Sequence, residues 1–241
     1  MLITADMKMA DLIHLDFQLL AVIQRIGINL GFREKTIDEV CKENDVDTDF
    51  FIQIARSFHD KDYFPKEKFF TFKAEWLIHF LRRTHQCILE YKIPEIEEKI
   101  KLMVEDLKET TRNYELIKNF FTEYIRELRV HMELEETQVF PYVLALSECI
   151  ESKTKTEGFE KYFNEYNIQR YLEDHNDIEE KVFDLKNILI KYLPPPTDSC
   201  KYNSLLFEIF KLEKDLQDHS KLEDKVLIPK VKLMENELEN L

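Results

Sequence analysis

Two segments of the chain repeat one another. Residues 131–141 read HMELEETQVFP and residues 219–229 read HSKLEDKVLIP, which together give H-x-x-L-E-[ED]-x-x-[VL]-[FI]-P. On an α-helix, side chains four positions apart lie about 40° apart on one face. His131 with Glu135, and His219 with Glu223, can therefore each aim an imidazole and a carboxylate at one point. Each pair is half of a metal site.

The remaining histidines decide whether the halves belong together. Seven are present, at 14, 59, 79, 85, 131, 175 and 219, and the last four are spaced by 46, 44 and 44 residues. If each of these four sits on its own helix of an antiparallel bundle at one depth, the turns fall midway, at about 108, 153 and 197, because a helix rises about 1.5 Å per residue in either direction. Turn-forming residues stand at those places: Thr110-Thr111-Arg112-Asn113, Ser152 to Gly158, and Pro194-Pro195-Pro196. The spacing predicts four inward histidines and two inward glutamates at one level of a four-helix bundle, an arrangement in which such bundles hold paired metal ions. Six buried ionisable groups are costly unless a positive charge pairs them. His85, His131, Glu135, His175, His219 and Glu223 are the expected ligands. His79 precedes His85 by six positions, about 120° around the helix, and cannot share the metal. His14 and His59 lie outside the bundle, and Glu179, four after His175, reads as part of a charged face.

Four imidazoles and two carboxylates without a thiolate suit iron, ahead of manganese, and argue against zinc, whose structural sites are usually single and tetrahedral. Two bridging glutamates with an oxo or hydroxo bridge from solvent would leave one open position on each of two irons, where O2, NO or peroxide could enter. Glu136, Asp224, Glu127 and Asp174 are candidates for orienting the imidazoles.

The rest of the chain must position these groups. With 241 residues there is room for one ordinary domain and a smaller companion, and 34% charged residues with only three glycines point to long solvated helices. The expected class is all-α: a small three-helix domain over 1–62, a linker at 63–73, and the bundle over 74–241. Residues 8–26 read as one helix ending at Gly27. Thr36 to Glu39 form a capping box that opens a second, and Asp47 or Thr48 caps a third. Apolar stripes at Leu116, Phe120, Tyr124 and Leu128, and at Leu205, Ile209, Leu212 and Leu216, run into the ligand pairs. Pro94 should kink or interrupt the first long helix.

A net charge of −14 argues against nucleic acid or an anionic membrane as partner. Residues 1–62 hold twelve acidic and seven basic side chains, which disfavours reading them as a DNA-binding helix-turn-helix. No apolar run approaches a membrane span, the first residues do not read as a signal peptide, and four scattered cysteines without a CxxC suit a reducing compartment. The expected location is the cytoplasm.

These motifs resemble the hemerythrin-like superfamily and, more closely, the Repair of Iron Centres family of di-iron proteins. The resemblance covers nearly the whole chain. LIHFLRRTHQ corresponds to the stretch with the family's first ligand and falls on His85. The H-x-x-x-E-E motif with F-P downstream falls on His131 and Glu135, and Glu173-Asp174-His175-Asn176-Asp177 matches an E-H-D-like motif. A PPP turn with a nearby cysteine, then D-H-x-x-L-E-x-x-V-L-x-P, matches Pro194 to Cys200 and Asp218 to Pro229. The resemblance implies a small amino-terminal domain before a di-iron bundle, and protection or repair of iron-sulfur clusters under nitrosative or oxidative stress, by iron donation or NO reduction. Damaged iron-sulfur proteins would be partners and O2 or NO the small ligand. The family's Cys-Cys-Gly-Gly motif is replaced here by Leu30-Gly31-Phe32-Arg33. Two further readings stay open: a non-enzymatic O2 or NO binder acting as sensor or scavenger, and direct turnover of NO or peroxide. Oxygen-carrying hemerythrins use five histidines, and no fifth stands here at a fitting spacing.

Overall fold

Caps and breaks set the short helices at the start of the chain. In the computed structural model, which describes residues 2–105, 111–154, 168, 178–193 and 198–239, α1 spans Met9–Leu15 and α2 spans Leu19–Ile26. The single helix expected over 8–26 is thus two. Asp16 leaves the helical conformation, and its Oδ1 accepts the Gln18 N–H at 3.0 Å, so a side chain replaces the helical partner and breaks an otherwise continuous apolar period. α2 ends at Gly27, whose φ of 95° a side chain would resist. α3 (Ile37–Glu43) opens on the expected capping box: Thr36 Oγ1 accepts the Glu39 N–H at 3.2 Å, and Glu39 accepts the Thr36 N–H at 2.8 Å. α4 (Thr48–His59) is capped by Asp47, which accepts the Phe50 N–H at 2.8 Å. Four short helices, rather than three, precede residue 62. After them come α5 (Lys66–Phe70) and α6 (Ala74–Cys87).

The chain forms two compact units. One comprises Met1–Arg83 with Asp224–Lys230, the other Thr84–Glu223 with Val231–Leu241. In the first, Phe50 packs edge-on against Phe72 at 5.4 Å and lies 5.7 Å from Trp76, while Lys230 Nζ donates to the Phe70 and Phe72 carbonyls, each at 2.8 Å. Among the described residues there is no strand, only an isolated bridge between Lys8 and Thr36.

The second unit is a bundle. α7 spans Ile93–Glu105, α8 Thr111–Leu134, α9 Phe140–Ser152, α10 Ile178–Asn187, α11 Ser199–Leu222 and α12 Ile228–Glu239. α7 packs on α8 and α11, and α10 packs on the same two, which closes a ring of four helices around one core. Ile96, Ile117, Phe121, Tyr124, Leu128, Val182, Leu205, Ile209, Leu212 and Leu216 fill it. Removing each such side chain from water stabilises the fold by about 1.5–3 kcal/mol. On α8 the inward stripe is Ile117, Phe121, Tyr124 and Leu128, not one that begins at Leu116, which is 60% exposed. The α11 stripe falls as expected. Lys186 and Glu213 form a buried ion pair, with the Phe183 and Phe210 rings 5.3 and 4.5 Å from Lys186 Nζ.

A wide turn interrupts the helix at Ile88–Lys92, Glu135–Val139 and Glu223–Leu227, and a fourth, at Ile188–Tyr192, ends α10 at an extended Leu193. In every case a proline stands two positions beyond the turn: Pro94, Pro141, Pro194 and Pro229. Proline has no N–H to donate and its ring crowds the carbonyl four residues back. A bond reaching five residues back relieves this, as from Ile93 N–H to the Ile88 carbonyl and from Phe140 N–H to the Glu135 carbonyl. Pro94 therefore interrupts the regular helix, which resumes as α7. The expected turn at 194–196 lies outside the described residues. The first expected turn is not where the sequence put it: Thr111, Arg112 and Asn113 lie in the opening turn of α8, while Thr110 lies outside the described residues. Of the second, α9 ends at Ser152 with Lys153 at a φ of 54°, and residues 155–158 lie outside the described residues.

Candidate metal centre

Three helical stripes deliver the site. On α6, Ile78, Leu81, His85 and then Ile88 recur at intervals of three and four, all buried. On α8, Tyr124 and Leu128 lead in the same steps to His131 and Glu135; on α11, Leu212 and Leu216 lead to His219 and Glu223. Glu135 and Glu223 are each the first residue of a wide turn, so the helix changes pitch directly after its carboxylate. Such turns recur at functional sites.

The structure brings His85, Glu135, His219 and Glu223 together. One donor atom from each lies within 4.8 Å of all the others, and all four residues are buried. His85 Nε2 is 3.1 Å from His219 Nε2 and 3.1 Å from Glu135 Oε2; His219 Nε2 is 3.0 Å from Glu223 Oε1. His131 stands one turn before Glu135, with its Nε2 3.1 Å from Glu135 Oε1. His175 lies outside the described residues, as do Glu173 and Asp174. His79 is exposed and takes no part in the cluster. Two neighbours fix His85: Glu136 Oε1 meets its Nδ1 at 2.9 Å, and the Phe140 ring stacks on it at 5.5 Å and 17°. From the sequence Glu136 is only one of several candidates for orienting the imidazoles, and Phe140 is given no role. The F-P of the first motif was the available signal. Glu127, another candidate, pairs with Lys181 instead, and Asp224 is exposed.

The electrostatics of this cluster call for a cation. Two imidazole nitrogens that face each other at 3.1 Å need either a shared proton or a shared positive ion. Burial works against the charge of Glu135, yet hydrogen bonds from His131, His219 and His85 hold its carboxylate well below the usual range. Burial, with repulsion from Glu135, pushes the Glu223 carboxyl up. Burial also opposes charge on His219, but Glu223 and Glu135 outweigh it and push the imidazole up to about 10. His131 is raised as well, its burial outweighed by Glu135. Without a metal, protons must hold the carboxylates together. A divalent cation would take their place, held by His85, His219, Glu135 and Glu223. Among the described residues, the buried His219 Nδ1 and Glu223 Oε2 take part in no hydrogen bond. Nitrogen and carboxylate donors, about 3 Å apart as ligands at right angles on one ion would be, fit iron.

The family model described as hemerythrin HHE cation binding domain matches residues 93–231, more than half of the chain. The chain belongs to the hemerythrin HHE cation-binding family. His131, Glu135, His175, His219 and Glu223 lie inside the matched segment of this hemerythrin-like protein; His85 lies before it, and the fold brings it to the cluster all the same. No curated protein matches the chain. Domains of the hemerythrin family bind metal cations, typically iron, and can bind small gaseous ligands such as O2. No described helix is long and apolar enough to cross a membrane.

Proposed function

We propose that this hemerythrin-like chain is a di-iron protein in which His85, His131, His175 and His219 supply nitrogen and Glu135 and Glu223 bridge the two ions. The observation that carries the reading is the disposition of Glu135. Its Oε2 faces His85 and its Oε1 faces His131, each at 3.1 Å, so one carboxylate offers an oxygen to two imidazoles on different helices. That is how a bridging ligand behaves. His85 and His219, with their Nε2 atoms 3.1 Å apart, would hold one ion, and His131 would serve the other. Bound iron would supply redox chemistry and positions for a small diatomic ligand. The protein's own groups bury the centre, orient His85 through Glu136 and Phe140, and exchange protons for metal at His219 and Glu223.

Motif resemblance points this centre toward the Repair of Iron Centres family. On that reading it protects or repairs iron-sulfur clusters under nitrosative or oxidative stress, giving iron to a damaged cluster or reducing NO. One feature favours a second reading. Leu30-Gly31-Phe32-Arg33 stands where repair proteins carry paired cysteines, so a role that needs no thiol pair, as an O2 or NO sensor or scavenger, suits this chain too. Spectroscopy of the diferrous protein after one addition of NO or O2 separates the two. Reactivation of a damaged cluster enzyme together with chelatable iron supports repair. A stable, reversible adduct without reactivation supports binding, and N2O release with oxidation to the diferric state supports reduction.

A further inference from the structure

A second site stands in the first unit, made of residues the metal centre does not use. A cavity of about 210 Å³ opens there, with Phe50, Trp76 and Phe80 among its walls and Asp45, Asp47 and His79 among its polar groups. Pockets for drug-sized ligands run to about 300–1,000 Å³, so this one suits a molecule about the size of one side chain. Its lining is divided by chemistry. Phe50 and Phe80 are buried and Trp76 half-buried, whereas both aspartates are exposed on the turn between α3 and α4. Asp45 is held in the left-handed region, at a φ of 56°, and its carboxylate makes no bond among the described residues. Asp47 uses one oxygen, Oδ1, to cap α4. Partial burial, then the nearby Arg83 and Arg82, lower the His79 pKa and so favour its neutral imidazole. Aromatic faces attract a cation through the ring quadrupole, and two carboxylates at the rim add a charge of the same preference.

We propose that this cavity binds a small amine, a monovalent ammonium or guanidinium on an apolar body no larger than an aromatic side chain. The body packs against Phe50, Trp76 and Phe80, and the charge lies at Asp45 and Asp47. Trp76 is the only tryptophan of the chain, so occupancy reads directly as a change in its fluorescence.

The test titrates the full-length, metal-loaded protein with phenethylammonium, with its neutral counterpart phenethyl alcohol, and with a blocked Ala-Arg-Ala tripeptide. The expected result is a saturable change in Trp76 emission with the amine and none with the alcohol. Asp45→Asn with Asp47→Asn should weaken amine binding by about tenfold or more. Both changes preserve the fold, since asparagine accepts a positive φ and caps a helix as well as aspartate does; an unchanged circular dichroism spectrum verifies this. Failure to saturate, equal binding of the alcohol, or full affinity in the double variant would overturn the proposal. Tighter binding of the tripeptide than of the free amine would overturn the small-molecule assignment.

Discussion

Glu136→Gln separates a residue that orients the metal centre from one that merely fills space. The His85 Nδ1 to Glu136 Oε1 contact, at 2.9 Å, fixes which nitrogen of His85 carries its proton and so leaves Nε2 free toward the cluster. A hydrogen bond to a charged group contributes about 1.5–3 kcal/mol. The Glu136 side chain is 34% exposed, so solvent screens part of that. A loss of about 1.4–2.7 kcal/mol, equivalent to tenfold to hundredfold in metal affinity, is the expected cost. Chelator competition on the purified protein measures it, with Glu133→Gln, an exposed change three residues away, as control. Glutamine can still accept the His85 proton, so its affinity should fall between those of the native protein and Glu136→Ala. Native affinity in both Glu136 variants would refute the reasoning.

Other expectations follow from the same geometry. Glu223→Gln should abolish metal binding and lower the melting temperature of the metal-free protein, because it removes the carboxylate that does most to hold charge on the buried His219. The metal-free protein should lose stability with rising pH. The His219 imidazole is pushed from its ordinary 6.5 up to about 10, so its contribution is complete below about 6.5 and is lost as pH climbs through 10. Metal-loaded protein should lack this decline, and its metal affinity should fall in acid as protons compete, which thermal melts across a pH series would record. Glu213→Leu strands Lys186 in the bundle without its partner and should cost about 3 kcal/mol by urea denaturation.

Much of the bundle was legible because helix period and ligand spacing are the same signal. The α11 stripe from Leu205 to Glu223 reads straight from the sequence, since one run of threes and fours carries both core and ligands. The break at Asp16 was not legible: the apolar period continues across it, and the competing hydrogen bond to Gln18 belongs to a side chain. Leu116 was misread for a different reason. Ile117 continues the period equally well, and only the neighbouring helices decide which of two adjacent apolar residues turns inward. The wide turns were half legible. Their four prolines are plain in the sequence, but a proline alone does not tell a kink from a change of pitch. At the site, residue types and spacing pointed to His85, Glu135, His219 and Glu223, which the fold gathers from helices far apart in the chain. The outer contacts of His85 with Glu136 and Phe140 depend on packing that no spacing rule gives.

Elemental analysis of the full-length protein after anaerobic loading with ferrous iron tests the paired-metal reading most directly. Close to two irons per chain are expected, with large losses in His131→Ala and Glu135→Ala and none in His79→Ala. Substoichiometric iron in the native protein, or equal iron in all of these variants, would contradict it.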